Sequence, residues 1–360
     1  MGKEKLSVSR KKLAVITLTE GGIQIGTRLK NRLNELDLYI PEKFNNGEID
    51  CNYYSSLKDL IADKFREYDA LVFIMALGIV IRLTKDYLVD KRIDPAIITI
   101  DEQGKNVIST VSGHLGGANQ ISHELADIIG ANPVITTGTD SQGKLAVDLL
   151  ASKLNCLLEP FELLTKANAA LVNDKKLNVY TDYNIKIPSW READFYPIDR
   201  LSHSDLKPGF DLVISNLDHT LKENQLQMIP KNIVIGIGTK KDISLKEIEK
   251  AISRMIAELS LHKKSIKKLA TIDLKAEEAA IIEYTKKYKI ELEIISREQI
   301  KKIEENLNIK KSDFVKETIG VSAAASPAAI LASDKGKLLL DKIRLGRMTV
   351  SIYEEEINYG

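Results

Sequence analysis

The sequence predicts an α/β fold: two α/β domains with mainly parallel sheets, joined by a smaller irregular middle region and forming an inter-domain cleft. Short apolar runs, such as residues 70–76, are typical of strands buried on both faces of a sheet. Amphipathic helices alternate with these runs, which favours parallel sheets. The alternation stops after residue 155 and starts again near residue 231. The predicted domains are therefore residues 1–155, a middle region at 156–230, and residues 231–360.

Composition and charge indicate a globular protein with a full-sized core. The chain has 360 residues, of which 44% are hydrophobic and 29% charged, and its formal net charge is +1. This balance gives no reason to expect a nucleic-acid partner. The two cysteines, Cys51 and Cys156, form no CxxC, so neither a disulfide framework nor a thiolate metal site is indicated. No apolar run approaches the ~18 residues of a membrane span, and we expect a cytoplasmic protein without membrane contact.

In the N-terminal domain, strands are expected at residues 13–19, 38–40 and 70–76. The helix predicted at residues 55–68 is strongly amphipathic. Residues 94–101 and 105–110 are expected to form two strands joined by the Gln103-Gly104 turn. A helix at residues 145–155 is predicted to end the domain.

The middle region is predicted to contain a helix at residues 161–172 and strands at 177–180 and 211–215, with a proline-rich loop between the strands. In the C-terminal domain, strands are expected at 233–237, 269–274 and 290–295. Ser244 and Glu247 have the spacing of a capping box at the start of a helix, and a second helix is expected at 277–288. Residues 337–340 and 348–353 are predicted to add closing strands.

The turn at residues 112–117, Ser-Gly-His-Leu-Gly-Gly, is the strongest functional signal in the chain. It follows a predicted strand and precedes a helix with a buried apolar stripe. Paired glycines before a helix allow close approach of a ligand, and the first N–H groups of the helix favour an anion. His114 can act as an acid or a base near neutral pH, and we expect it to have little packing to lose. The alternative is a tight strand-to-helix connection in which the glycines are present only because the backbone needs a positive φ.

A second predicted strand, residues 133–137, ends in a polar cluster that includes Thr136, Thr137 and Asp140. Two strand ends are therefore expected to bring His114 and Asp140 to one edge of a sheet. In open α/β sheets, ligands bind at the carboxyl edge. Asp94 also lies near a predicted strand end. For each aspartate taken singly, capping of a turn or helix is the alternative.

Two nucleotide-binding patterns are incomplete. Residues 138–144 match the first seven positions of a P-loop, but Leu145 replaces the hydroxyl residue that binds Mg²⁺. Gly236-Ile-Gly238 begins like a dinucleotide fingerprint, yet Lys241 replaces its third glycine. A P-loop-like nucleotide-binding enzyme is therefore the generic alternative.

The glycine turn and its neighbours also resemble a known family. Residues 78–82 (Gly-Ile-Val-Ile-Arg), 94–96 (Asp-Pro-Ala) and 109–140 are similar to the cobalt-precorrin-5A hydrolase family (CbiG) of the anaerobic cobalamin pathway. Residues 235–238, 270–275 and 314–320 resemble that family's C-terminal segments. The resemblance covers nearly the whole chain in the right order, and it is weakest at residues 160–225.

The resemblance implies a hydrolase that opens the ring lactone of a cobalt-containing precorrin with water. The two-carbon fragment leaves as acetaldehyde, and the product is cobalt-precorrin-5B. The expected partner is this small molecule, with room for transient contact with neighbouring pathway enzymes. Because the cobalt is carried by the substrate, no cofactor and no metal site in the protein is expected. A non-catalytic tetrapyrrole-binding or handover protein of the same pathway is the alternative.

Our hypothesis for the site assigns three catalytic residues. His114 is the predicted base for water, with the amides of Gly116 and Gly117 as oxyanion donors, and Asp140 or Asp94 handles the proton of the freed hydroxyl. The substrate carries several carboxylates, which require anion-binding groups. The predicted substrate-binding residues are Gly78, Arg82, Ser112, Gly113, Gly116, Gly117, Asn119, Thr136, Thr137, Gly236, Gly238 and Lys275.

Overall fold

The structure, a computed structural model, describes residues 11–185, 187, 190–206, 209–304 and 324–359. The segment 314–320, which carries part of the family resemblance, lies outside these residues. The chain divides into two compact units, Met1–Leu149 and Leu150–Gly360. The domain boundaries predicted at residues 155 and 230 stay a prediction.

The first unit is built on one seven-stranded sheet with the order β3-β2-β1-β4-β5-β6-β7. Among the described strands, all neighbouring pairs are parallel except β5 with β6. The strands β1, β4 and β5 are buried along their whole length. The bounds are β1 (Leu13–Thr17), β2 (Leu36–Pro41), β3 (Asn52–Tyr54), β4 (Ala70–Ile74), β5 (Ala96–Ile100), β6 (Asn106–Val111) and β7 (Asn132–Val134).

Helices cover both faces of this sheet, because alternate residues of β1 belong to two separate cores. Leu13 and Val15 pack with helices α1 and α4, whereas Ala14 and Ile16 pack with α2 and α3. The bounds are α1 (Glu20–Lys30), α2 (Leu57–Lys64), α3 (Leu77–Thr84), α4 (Ala118–Ile129), α5 (Gly138–Ser141) and α6 (Val147–Lys153), and α6 crosses the boundary between the units. The predicted α/β fold class is confirmed.

The antiparallel pairing of β5 with β6 decides where the glycine turn lies. Val111 pairs with Ile97 and Val107 with Ile100, so β6 ends where β5 begins. Since β7 is parallel to β6, the segment after β7 starts at the same edge. The two predicted strand ends therefore meet, but the prediction that they meet at the carboxyl edge of the sheet is wrong. They meet at the edge where β1, β4 and β5 begin.

The second unit contains two five-stranded sheets. The first has the order β10-β9-β11-β12-β8, with only the β12–β8 pair antiparallel among its described strands. Its strands are β8 (Cys156–Glu159), β9 (Leu177–Thr181), β10 (Ala193–Tyr196), β11 (Phe210–Ile214) and β12 (Gln225–Pro230), and its helix α7 is Leu164–Val172. The middle region is thus more regular than the sequence indicates. The hydrophobic pattern does not predict β12, because two of its buried residues are glutamines. Gln225 Nε2 donates to Asp211, and Gln227 Nε2 donates to the Ser215 carbonyl.

The C-terminal sheet has the order β15-β14-β13-β17-β16. The strands β13, β14 and β15 are parallel, whereas the closing strands β16 and β17 are antiparallel. Ser244 and Glu247 form the predicted capping box. The bounds are β13 (Ile233–Thr239), β14 (Ile266–Ile272), β15 (Glu291–Ile295), β16 (Gly336–Leu345), β17 (Met348–Glu355), α8 (Leu245–Glu258), α9 (Ala279–Tyr288), α10 (Arg297–Glu304) and α11 (Ala325–Leu331). Across the described ranges, no helix has the length and apolarity needed to span a membrane.

Candidate active site

The glycine turn between β6 and α4 is closed by its own backbone hydrogen bonds. The amides of Ala118 and Asn119 donate to the carbonyls of Ser112 and Gly113 at 3.1 and 3.0 Å. The amide of Gly117 donates to the His114 carbonyl at 2.9 Å. The Gly117 amide is therefore already engaged, and the oxyanion role expected for it does not fit the structure.

Close packing explains the three glycines of the turn. A Cβ atom at Gly113 would lie 2.7 Å from Asn119 Oδ1, and one at Gly116 would lie 2.3 Å from the Ser112 Cβ atom. Gly117 has φ of 80°, and a Cβ there would lie 2.7 Å from Lys11 Nζ. The Lys11 ammonium donates to the Gly116 carbonyl. The sequence reading misses this lysine, which brings a positive charge to the turn.

His114 lies between two carboxylates. Its Nδ1 is 3.0 Å from Asp148 Oδ1, and its Nε2 is 2.5 Å from Asp140 Oδ2. The exposed fractions of the side chains are 11% for His114, 5% for Asp148 and 32% for Asp140. The expectation that His114 has little packing to lose is therefore wrong.

The charge state of His114 follows from these neighbours. Burial by itself lowers the pKa of His114, but hydrogen bonds and attraction from Asp148 and Asp140 outweigh burial and raise the pKa to about 9. His114 is thus an imidazolium at neutral pH. A protonated ring cannot accept a proton from water, so the first role open to His114 is that of an acid.

Two polar side chains bind the Asp140 carboxylate, and a third holds one of them in place. Its Oδ2 accepts hydrogen bonds from Thr137 Oγ1 at 2.5 Å and from Asn119 Nδ2 at 3.1 Å. Asn119 is in turn fixed by Ser109 Oγ, which lies 2.6 Å from Asn119 Oδ1. Asn119 and Thr137 are predicted to bind substrate, and the structure places both against Asp140. They hold the carboxylate beside His114.

Asp148 is the main residue that the sequence reading misses. It belongs to the first turn of α6 and is 4% exposed, between the fully buried Val147 and Leu150. Charged residues are almost never fully buried unless they are paired. The position of this aspartate inside the apolar run 146–151 of a predicted helix is therefore a sequence signal that could have identified Asp148.

Asp94 lies at the same edge, but its described contacts hold a loop. The carboxylate accepts hydrogen bonds from the Val89 amide at 2.9 and 3.1 Å and from Arg66 Nη1 at 3.2 Å. The Asp94 carbonyl accepts Ser112 Oγ at 3.4 Å. Among the described residues, the Asp94 carboxylate bonds Arg66 and Val89 and makes no hydrogen bond or ion pair with His114, so the catalytic role predicted for Asp94 gains no support from the geometry.

Two predicted substrate-binding residues lie far from His114. Gly78 and Arg82 follow β4, so they lie at the opposite edge of the sheet. A strand rises ~3.3 Å per residue, which puts about 16 Å between the two ends of this five-residue strand. Arg82 Nη1 donates to the Gly78 carbonyl at 2.9 Å. Thr136, by contrast, is exposed and lies next to Thr137 at the edge of the His114 cluster.

The other three predicted residues belong to the second unit. A Cβ atom at Gly236 would lie 1.9 Å from the Ala325 carbonyl oxygen, so this glycine allows α11 to pack against β13. A Cβ at Gly238 would make only ordinary contacts, 3.8 Å from the Ala324 Cβ atom. Lys275 pairs with Glu278 at 3.2 Å. Packing therefore explains Gly236, and the binding roles of Gly238 and Lys275 stay predictions.

The P-loop alternative is contradicted by the backbone of residues 138–144. The amides of Ser141, Gly143 and Lys144 donate to carbonyls of residues 137, 140 and 139. A phosphate cradle needs such amides to point at the ligand, and here they close a short helical turn. Within the part of the chain that the structure describes, no group of three or more His, Cys, Asp or Glu side chains is arranged to hold a metal ion.

We expect the free energy of unfolding to fall as the pH rises from about 6.5 to about 9. The ordinary pKa of 6.5 is raised to about 9 in His114, so the folded state binds this proton more tightly than the unfolded chain. The stabilisation is complete below pH 6.5 and is lost as the pH passes the folded pKa, with an upper bound of roughly 3 kcal/mol. Urea unfolding from pH 6 to 10 measures it. His114→Gln should flatten this part of the profile, and an unchanged slope would contradict the assignment.

Comparisons with known proteins agree with the resemblance seen in the sequence. Three family models match the chain: Cobalamin synthesis G N-terminal at residues 59–140, Cobalamin biosynthesis central region at 145–230, and Cobalamin synthesis G C-terminus at 233–353. A protein named cobalt-precorrin-5A hydrolase from Priestia megaterium is 32% identical over 98% of this chain and 97% of its own length. One of the same name from Salmonella typhimurium is 30% identical, over 96% of this chain and 98% of its own.

Among solved structures, a cobalamin biosynthesis protein G homologue from Sulfolobus solfataricus is 25% identical, with a TM-score of 0.37, and covers 96% of this chain and 97% of its own. The matching family models define the class: the chain is an α/β protein of the cobalamin synthesis G type. Full-length similarity at 32% identity narrows this class further. The chain belongs to the cobalt-precorrin-5A hydrolase family.

Proposed function

We propose that this protein hydrolyses cobalt-precorrin-5A, opening its ring lactone with water and releasing acetaldehyde to give cobalt-precorrin-5B. Full-length similarity to relatives of that name supports the reaction. The observation that carries the site is His114 between Asp148 and Asp140, with Nε2 at 2.5 Å from Asp140. A buried imidazolium beside a partly exposed carboxylate places a proton donor and a proton acceptor next to each other.

The first step is lactone opening. The Asp140 carboxylate accepts a proton from the water that attacks the lactone carbonyl. His114 donates its Nε2 proton to the ring oxygen as the C–O bond breaks, once this oxygen has replaced Asp140 as the acceptor. Asp148 keeps its bond to Nδ1 and fixes the ring orientation, as a buried aspartate does in hydrolytic triads.

The second step is cleavage of the carbon–carbon bond. His114 is now neutral and takes the proton back from the hydroxyl that the first step has freed. The C–O bond becomes a carbonyl, the bond to the macrocycle breaks, and the electron pair moves into the macrocycle. The macrocycle then takes the proton that Asp140 received from water in the first step, which restores the Asp140 carboxylate. Acetaldehyde leaves. Since the macrocycle and its cobalt belong to the substrate, this route asks for no cofactor.

The surroundings of the turn suit an anionic substrate. Lys11 Nζ uses one of its three donors on the Gly116 carbonyl, and the others can bind a carboxylate of the substrate. We place the protein in the cytoplasm, with this small molecule as its partner and with transient contact to neighbouring pathway enzymes.

Acetaldehyde release tests the proposed function. Purified protein incubated anaerobically with cobalt-precorrin-5A should release acetaldehyde in a 1:1 ratio to substrate consumed. A handover protein of the same pathway would bind the substrate and release none. Binding with unchanged substrate would therefore refute the hydrolase and favour the non-catalytic alternative.

We expect no ATP-dependent stabilisation of this protein. The amides that would cradle phosphates are bonded to carbonyls of residues 137–140, so adding ATP and Mg²⁺ should leave the melting temperature unchanged. The same result is expected for Lys144→Ala. A micromolar affinity for ATP–Mg²⁺ that disappears in Lys144→Ala would restore the nucleotide-binding interpretation.

A further inference from the structure

The loop between α3 and β5, residues 85–94, exposes two large apolar side chains at the same sheet edge as His114. Val89 is 73% exposed and Ile93 is 63% exposed. Single exposed apolar residues are ordinary on protein surfaces. These two are unusual because the backbone that presents them is anchored at several points.

Arg66 and Asp94 provide the anchors. Arg66 Nη1 donates to the Ile93 carbonyl at 3.1 Å, and its Nη2 donates to the Tyr87 carbonyl at 2.9 Å. Both oxygens of the buried Asp94 carboxylate accept the Val89 amide. The ring of Tyr87 stacks on Phe65 with 5.3 Å between centroids. A buried carboxylate is costly unless it is hydrogen-bonded, and here its bonds fix the two residues that face water.

The loop is continuous with the candidate active site. Ser112 Oγ donates to the Asp94 carbonyl at 3.4 Å, and Ser112 is two residues from His114 while Asp94 follows Ile93. Val89 and Ile93 therefore lie at the sheet edge that carries His114, whereas the exposed Leu77 of α3 lies at the opposite edge. A rigid apolar surface beside a carboxylate-bonded histidine and the Lys11 ammonium matches a ligand with an apolar ring face and an anionic rim.

We propose that Val89 and Ile93 form an apolar platform on which the macrocycle of the substrate rests, and that Asp94 is a positioning residue for this platform. The inference rests on the proposed function, because it names the part of the same site that holds the substrate ring. It gives Asp94 a role in binding in place of the proton transfer expected from the sequence.

The test uses the double variant Val89→Ser with Ile93→Ser, and Leu77→Ser as a matched control. Leu77 is 40% exposed at the opposite edge of the same sheet. The double variant should raise the KM for cobalt-precorrin-5A by on the order of tenfold, as expected for a few lost apolar contacts, with kcat unchanged. Its melting temperature should match that of wild type, because both side chains face water. Leu77→Ser should have the wild-type KM.

A binding probe separates this inference from the reaction. Uroporphyrin III is a tetrapyrrole with acetate and propionate groups around its ring, and its absorbance reports binding without turnover. Weaker uroporphyrin binding by the double variant supports the platform even if wild type releases no acetaldehyde, an outcome that would refute only the hydrolase function. Wild-type KM and wild-type uroporphyrin affinity in the double variant would overturn the platform and leave the loop as a surface for another protein.

Asp94→Asn provides the second variant. It keeps the size of the side chain and weakens the anchor, so KM should rise several-fold while kcat stays near the wild-type value. A collapse of kcat at unchanged KM would overturn the inference, because Asp94 would then act in catalysis.

Discussion

His114→Ala is expected to lower kcat for acetaldehyde release by on the order of 10²–10⁴, the usual contribution of a general acid or base. In the proposed route, the histidine carries the proton in both steps. Rapid-mix single-turnover assays of acetaldehyde measure the chemical step. His123→Ala is the matched control, since His123 is exposed on α4, and it should keep wild-type turnover.

The same substitution also tests the buried pair. Removing the imidazole breaks the 3.0 Å ion pair between His114 Nδ1 and the Asp148 carboxylate, which is 5% exposed. We expect His114→Ala to lose about 1–3 kcal/mol of stability, the range for a lost hydrogen bond to a buried charged group. Near wild-type acetaldehyde release from a folded variant would show that His114 is structural, and the proton carrier would have to be sought among the aspartates.

The pH profile distinguishes an acid from a base. The kcat/KM of wild type should fall as the pH rises through about 9, because the free enzyme then loses the His114 proton. A base-first mechanism would show the opposite limb, with activity rising toward that pH.

Asp148→Asn is expected to lower kcat by on the order of 10²–10⁴, the range seen when the buried aspartate of a hydrolytic triad is replaced by its amide. The amide keeps the size but loses the charge that raises the pKa of His114. The falling limb of kcat/KM should therefore move to lower pH, while KM should change little because the proposed route gives Asp148 contact with His114 and none with the substrate. A purely structural role would lower stability without moving this limb.

Asp127→Asn is the control for this variant, since Asp127 is exposed on the same unit. It should leave kcat, KM and the pH limb unchanged. If Asp148→Asn kept wild-type turnover and the falling limb of its kcat/KM profile stayed at the same pH, Asp148 would have no part in the mechanism. The catalytic groups would then be His114 and Asp140.

The sequence by itself determined the fold class and most local elements outside the middle region. Hydrophobic periodicity marks the helices and buried strands because burial of apolar surface follows the geometry of each element. Some features are predictable because they depend on short-range contacts. The Gln103-Gly104 hairpin and the Ser244 cap involve neighbouring residues, and the closeness of His114 to Asp140 follows from adjacent strands. Motif resemblance also gave the family.

Tertiary structure alone decided the rest. Pairing of β6 antiparallel to β5 moves the glycine turn to the edge where most strands begin, and this direction depends on the sheet as a whole. The partnership of Asp148 with His114 joins residues 34 positions apart, and the anchoring of Asp94 by Arg66 spans 28. Local pattern does not encode such contacts. The charge state of His114 is also a tertiary property, because two aspartates set it only once folding brings them within 3 Å of the ring.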